Sequence, residues 1–341
     1  RGGAGGRVRQ GNSAGGDNGV GGAGDKVEDM IALRGRFNSG EKLGSELFLC
    51  GPLFTAAGGH GTEYAKNMPE LARSGFDAQF LRIPKTEADA RQMVDALAVK
   101  GVNAIKGILE AGVPGYPFQR MNVDLLRAVV AEAHVKKLPA SVHTGDAKDV
   151  ADAVAVGADS IEHGSFRDEI ADATIAAMKA QGTVYDPTLS VVEGLSDFAK
   201  GNTELLKRSL AQQVTTKDLL TGTEKAGTGP AMQKMRDGLG HYPLSMEIGG
   251  RNLLKVWHAG IPLVTGSDAG NPMVLHGPTV QREVELWVAA GVPAAVALPA
   301  ASVNASKLPP AGTRARTGVA GQATAPPGGH PIPASVTPGG A

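Results

Sequence analysis

Two short runs in this chain end in histidine: PASVH closes on His143 and DSIEH closes on His163. Both are strand-like, and the stretch between them, DAKDVADAVAVGA, has helical spacing. Lys106 in NAIKGIL and Asp268 in IPLVTGSD lie near the ends of two further strand-like runs. Neutral imidazole is the commonest side-chain ligand for zinc, and carboxylates complete such sites. A bound divalent ion lowers the pKa of its water to ~7 and so supplies a nucleophile at neutral pH. Two histidines and an aspartate at strand ends therefore point to a metal centre. In it Asp268 would bind the ion and also accept a proton from its water. A lone strand-end histidine more often makes loop hydrogen bonds; the joint pattern is what carries the metal reading.

The elements that must position these groups alternate in type. The spacing predicts a helix over 25–37, a buried strand ELFLCG (46–51), and a helix over 86–101 closed by Gly101. A strand (103–109) and a helix (122–137, Asn122 as N-cap) follow, then PASVH, a helix at about 147–156, DSIEH and a helix at about 168–181. TVYDPTL (183–189) and IPLVTGSD (261–268) read as strands, with a long polar, helix-prone stretch between them and a final helix over 278–291. Such alternation with short loops argues for a parallel sheet with helices outside it. A closed (β/α)8 barrel and an open doubly wound sheet both fit. The twenty residues from His143 to His163 make one βα repeat, so the two would be neighbours ~5 Å apart across one strand step. Convergence of four functional groups from separate strand ends favours the barrel, which aims such ends at one spot.

Composition narrows the function classes. Net charge is zero over 341 residues, so no electrostatic argument points to nucleic acid or an acidic membrane surface. The single cysteine, Cys50, excludes an internal disulfide and a cysteine-rich zinc site. No apolar run approaches the ~20 residues that span a bilayer. The chain opens on Arg, so its N-terminus does not inform on compartment. Residues 1–24 hold 11 glycines and almost no large apolar side chain, and no acidic residue follows Glu285. The expectation is an irregular head (1–24), an ordered body (25–307) and an irregular Pro/Gly-rich tail (308–341).

In order along the body, GPLFTAAGGHGTEY, VNAIKGILEAG, AEAHVKKLPASVHTGDAKDVADAVAVGADSIEHG, VYDPTL and GIPLVTGSDAGNP with LHGPTVQREVELWVAAG resemble the amidohydrolase superfamily. The nearest branch is that of imidazolonepropionase-like hydrolases and metal-dependent Xaa-Pro dipeptidases. The resemblance implies an α/β, (β/α)8 TIM-like barrel holding one or two divalent metals per chain, zinc being the expected one. Lys106 falls on the strand-four lysine that some members carboxylate, His143 and His163 on the strand-five and strand-six histidines, and Asp268 on the strand-eight aspartate. These four are the implied metal set, and Asp268 is the implied catalytic group. His60, Tyr64 and His276 fall where family loops face the substrate; turn-shaping roles fit the two histidines as well. Arg82 is a weaker candidate, and His134 at a helix end reads as a cap or packing residue. A homo-oligomer is a family-level expectation only.

Against that pattern, no H-x-H pair is present among the eight histidines, although the family's first strand carries one. The small β-sandwich usual in the family also has no counterpart. The barrel is therefore expected to be incomplete at its first strand. The Gly/Ala/Pro/Arg-rich ends suit a shifted reading frame in GC-rich DNA, and resequencing the coding DNA tests that. The leading function is metal-dependent hydrolysis of amide or peptide C–N bonds by metal-activated hydroxide, on an Xaa-Pro dipeptide or a cyclic amide. The alternatives are an inactive amidohydrolase-like fragment or pseudoenzyme, and a metal-free binding protein with a (β/α)8 or doubly wound fold.

Overall fold

Alternation along short parallel strands gives this protein one polar and one apolar sheet face. The computed structural model describes residues 19–43, 46–66, 68–113 and 115–304. Its strands are β1 (Gly19–Ala23), β2 (Glu46–Gly51), β3 (Leu53–Phe54), β4 (Leu81–Arg82) and β5 (Ile105–Ile108). A small antiparallel hairpin of β6 (Gly112–Val113) and β7 (Tyr116–Pro117) follows, then β8 (Ala140–His143), β9 (Ser160–Glu162) and β10 (Val184–Asp186). Six of them form a parallel sheet in the order β10-β9-β8-β5-β3-β4. The register puts Lys106 beside Ser141, His143 beside Glu162, and Glu162 beside Asp186. Residues level with one another share a face, so these polar side chains line one side of the sheet. Gly107, Val142, Ile161 and Tyr185 are level on the other side, where helices pack.

The helices lie in the connections, as the βα alternation requires. Thr86 and Asp89 form a capping box on Glu87–Lys100, and Gly101 ends it in the left-handed conformation. Asn122 caps Val123–Val135, and Asp146 caps Ala147–Ala155. Gly107 is the point of closest approach: a Cβ there would meet Leu126 Cδ1 at 2.5 Å. Gly107→Ala is therefore expected to destabilise by about 1–3 kcal/mol through overpacking, read as a lower urea midpoint at unchanged slope.

The fold is a TIM-like α/β barrel that does not close. Of the expected strand 261–268, Leu263 alone pairs, through a bridge to Tyr185. This corrects the sequence expectation. Beyond Leu263 the backbone leaves the ladder: Gly266 N–H turns to Asp186 Oδ1 at 2.7 Å instead. No strand joins Leu263 to β4 among the described residues.

The head also departs from expectation. Its last five residues, Gly19–Ala23, form β1, parallel to β2, because pairing of backbone groups needs no large side chain. Residues 1–18 and the tail lie outside the described residues. Just after β1, burial pushes the Asp25 carboxyl up to about 6 from 3.8. A raised folded-state pKa means that the protonated form is favoured in the fold. Its contribution is full below about pH 4 and is lost as pH rises through about 6. Asp25→Asn is expected to gain about 2–3 kcal/mol on the parent between pH 4 and pH 7, measured by urea unfolding across that range. Among the described residues, no helix is long and apolar enough to cross a membrane.

Candidate active site

Three imidazoles cluster at the C-terminal edge of the sheet, one pair edge-on and one tilted. His143 ends β8, and its ring lies 4.3 Å from that of His163 and 4.8 Å from that of His60. His163 follows β9 in a left-handed conformation (φ 69°), and its Nδ1 is 2.6 Å from Thr188 Oγ1. Thr188 and Asp268 are left-handed too. Non-glycine residues rarely adopt this region, and such strain gathers at functional sites. Here it falls where the chain leaves a strand or enters the loops around the imidazoles.

Carboxylates surround this row. Glu110, two residues beyond β5, places Oε2 3.0 Å from His143 Nε2. Its Oε1 accepts hydrogen bonds from Arg167 and Tyr242. Glu63 Oε1 lies 2.8 Å from His60 Nδ1, and Glu63 Oε2 accepts from Gly61 N–H at 2.6 Å. Lys106 pairs with Glu162, which also accepts from Ser141.

Burial and charge set the protonation of these groups. Burial alone would raise the Glu110 carboxyl, but its contacts with His143, His60 and Tyr242 hold it well below the usual carboxylate range. Burial lowers His143, outweighing its bond to Glu110. Burial, with His143, Lys106 and His60 nearby, drives His163 well below its ordinary value. His60 is the exception: burial opposes its charge, yet Glu63, Glu110 and Asp268 together raise it. The negative potential that favours a proton there also favours a metal cation. Burial brings Lys106 down to about 8 and, helped by Glu283, Asp186 up to about 7.

The donor set fits a divalent ion. His60, Glu110 and His143 offer ligand atoms that all lie within 4.8 Å of one another, and two neutral-capable imidazoles with an ionised carboxylate suit zinc. Of the residues expected from sequence, the structure brings His60, His143, His163 and Lys106 to one polar face. Asp268 is at its rim, exposed on a loop, with Oδ2 accepting from Asn271 at 2.8 Å. Its charge still acts on His60, Tyr64, Lys106 and Asp186. Tyr64 is 58% exposed on the short helical turn Thr62–Ala65. His276 packs near Gly270, two residues past Asp268. Arg82 bonds the carbonyls of Ala78 and Leu81, and His134 pairs with Asp159 at 2.8 Å, both structural contacts. Sequence reading missed Glu110, Glu162, Asp186, Arg167 and Tyr242. For the first three the available signal was an acidic residue at a strand end, in ILEAG, SIEHG and VYDPT; the last two have none.

Comparison with known proteins agrees with this architecture. The amidohydrolase family matches residues 42–308, and the chain belongs to that family. The family generally binds divalent metals. No curated protein matches. Among solved structures, a Xaa-Pro dipeptidase with methionine bound in its active site superposes with a TM-score of 0.65 at 20% identity. The match covers 88% of this chain and 66% of that one. An ochratoxinase from A. niger gives 0.63 at 20% identity, covering 88% and 62%. A prolidase complexed with N-methylphosphonate-L-proline gives 0.62 at 19% identity, covering 88% and 65%. This chain thus spans just under two thirds of the length of those structures, and the likeness shows the fold.

Proposed function

We propose that this chain is a metal-dependent hydrolase of amide or peptide C–N bonds, with a dipeptide ending in proline or a cyclic amide as substrate. The observation that carries the reading is the convergence of partly buried imidazoles and a buried, ionised carboxylate on one polar sheet edge. Family membership supports the hydrolase class, and the Xaa-Pro dipeptidase and prolidase among the structural neighbours support the substrate class. When bound, a divalent ion, zinc by preference of the donors, would polarise the amide carbonyl and acidify a water. His143 and His163, low in pKa, present neutral imidazole at working pH. Asp268 at the rim takes the proton and returns it to the leaving nitrogen. Thr188 holds the His163 ring in place. Lys106 at about 8 has an appreciable neutral-amine fraction near neutral pH, the form that carbon dioxide carboxylates. A carbamate there would turn its cation into an anion facing the same side. Tyr64 and His276, beside the mouth, would contact substrate.

The test is release of free proline from a panel of Xaa-Pro dipeptides by zinc-loaded protein, with cyclic amides as the second panel. Turnover abolished by chelator and restored by zinc is the expected result. Stoichiometric zinc with no turnover on either panel would overturn the catalytic reading and favour an inert barrel, for which the unclosed sheet is the structural argument.

A further inference from the structure

The family's first strand would bring two histidines, and this sequence has no H-x-H pair to offer. The structure nevertheless puts a different pair of side chains against His143. We propose that the tight divalent-ion seat of this chain is His60, Glu110 and His143, with Glu110 as its anionic ligand. The inference rests on the metal-dependent reading above and specifies its ligands.

Spacing is the first argument. In a tetrahedral zinc site with bonds of 2.0–2.1 Å, neighbouring ligand atoms stand about 3.3 Å apart. His143 Nε2 and Glu110 Oε2 are 3.0 Å apart in a hydrogen bond whose proton an entering ion would displace, and the third donor lies within 4.8 Å of both.

Orientation is the second. Metal-binding histidines usually give their other ring N–H to a carboxylate or carbonyl, and ligating carboxylates are themselves hydrogen-bonded. His60 Nδ1 lies 2.8 Å from Glu63 Oε1, an ion-pair contact without hydrogen-bond geometry, so Glu63 acts on this ring through its charge. Glu63 is in turn fixed by Gly61 N–H. On the other ligand, Arg167 and Tyr242 occupy Glu110 Oε1, while Oε2 is the oxygen that meets His143. Arg167 is itself anchored by its bond to Gly112 O at 2.9 Å. Glu110 is thus held from behind, with Oε2 directed at His143. Glu110 is only 5% exposed, so this carboxylate is a built feature rather than a surface charge.

Local charge is the third argument. Beside His163, Lys106 and Glu162 are already paired with one another, so that side offers a cation no free carboxylate of the pair. Around His60 the charges acting are those of Glu63, Glu110 and Asp268. A cation entering the site is drawn toward the Glu110 side.

The experiment is equilibrium dialysis of purified protein against one equivalent of zinc, with bound metal read by elemental analysis and fold checked by circular dichroism. The parent is expected to hold about one zinc per chain. Glu110→Gln and His60→Asn are expected to weaken binding by more than about 100-fold, and Tyr242→Phe, whose lost hydroxyl bonds Glu110 and Arg167 but offers no ligand, by about 10-fold. Asp268→Asn, which removes a nearby charge but no ligand, should weaken binding by less than about 10-fold. His60 is on a loop, so its variant tests the seat even if Glu110→Gln fails to fold. Loss of zinc from Asp268→Asn, with His60→Asn and Glu110→Gln binding normally, would overturn this ligand assignment and leave the metal-dependent reading standing. No zinc on the parent would overturn both.

Discussion

Asp268→Ala is expected to cut kcat/KM for the hydrolysed amide by about 100- to 10,000-fold, the usual worth of a positioned proton-transfer group. That is about 3–5 kcal/mol of transition-state stabilisation. Bound zinc should not change. The split follows from where the residue lies. Its carboxylate is outside the His60–Glu110–His143 cluster but close enough for its charge to act on His60, Lys106 and Asp186. The left-handed backbone there (φ 51°) is braced by Asn271, which donates to both the Asp268 carbonyl and its carboxylate. Asp268→Asn keeps a residue that tolerates this conformation, so it separates loss of the carboxylate from loss of the loop geometry. Equal loss in both variants assigns the effect to proton transfer. An Ala variant with the parent's rate would remove Asp268 from the chemistry.

Trp287→Ala is expected to cost about 3–5 kcal/mol of stability, read as a fall in the urea midpoint. The indole is fully buried in the main core. Its Nε1–H donates to Glu283 Oε1 at 2.7 Å, and the same carboxylate accepts from Leu189 N–H and Ser190 N–H at 2.8 and 2.6 Å. Helix Leu189–Lys200 has no side-chain cap of its own, so the buried Glu283 supplies one from a neighbouring helix. Truncating Trp287 opens a cavity and removes one of three donors to a buried carboxylate that burial already pushes upward. Trp287→Phe keeps most of the volume and loses only the N–H; about 1–2 kcal/mol is expected. A Phe variant as unstable as the Ala variant would mean that the hydrogen bond, not the packing, dominates.

The sequence made the helices and central strands legible where local signals were strong. ELFLCG (46–51) is a strand at those very residues, and the helix after Thr86 runs to Gly101 as its caps dictate. The Asn122 cap was equally readable. β1 was hidden because a glycine-rich strand has no apolar alternation, and its only support is the ladder to β2. The short extent of pairing at Leu263 was hidden for the opposite reason. IPLVTGSD has strand composition, but pairing depends on neighbours that composition does not reveal. In the site, histidines announced themselves by spacing. Glu110 did not, because its importance comes from Arg167 and Tyr242, 57 and 132 residues away in the chain.

The unclosed sheet bears on how the chain folds. β5 pairs with β8, β8 with β9 and β9 with β10, each the next strand of this sheet along the chain. A closed barrel must also join its two edges, here β4 and the segment at Leu263, a contact between distant parts of the chain with a large loop-closure entropy. Among the described residues no such seam exists between β4 and Leu263. Each unit can dock on the one before it as soon as it is synthesised, without a final long-range event to wait for. Topology of this kind lowers contact order, so refolding faster than that of closed barrels of similar length is the kinetic signature of the missing seam.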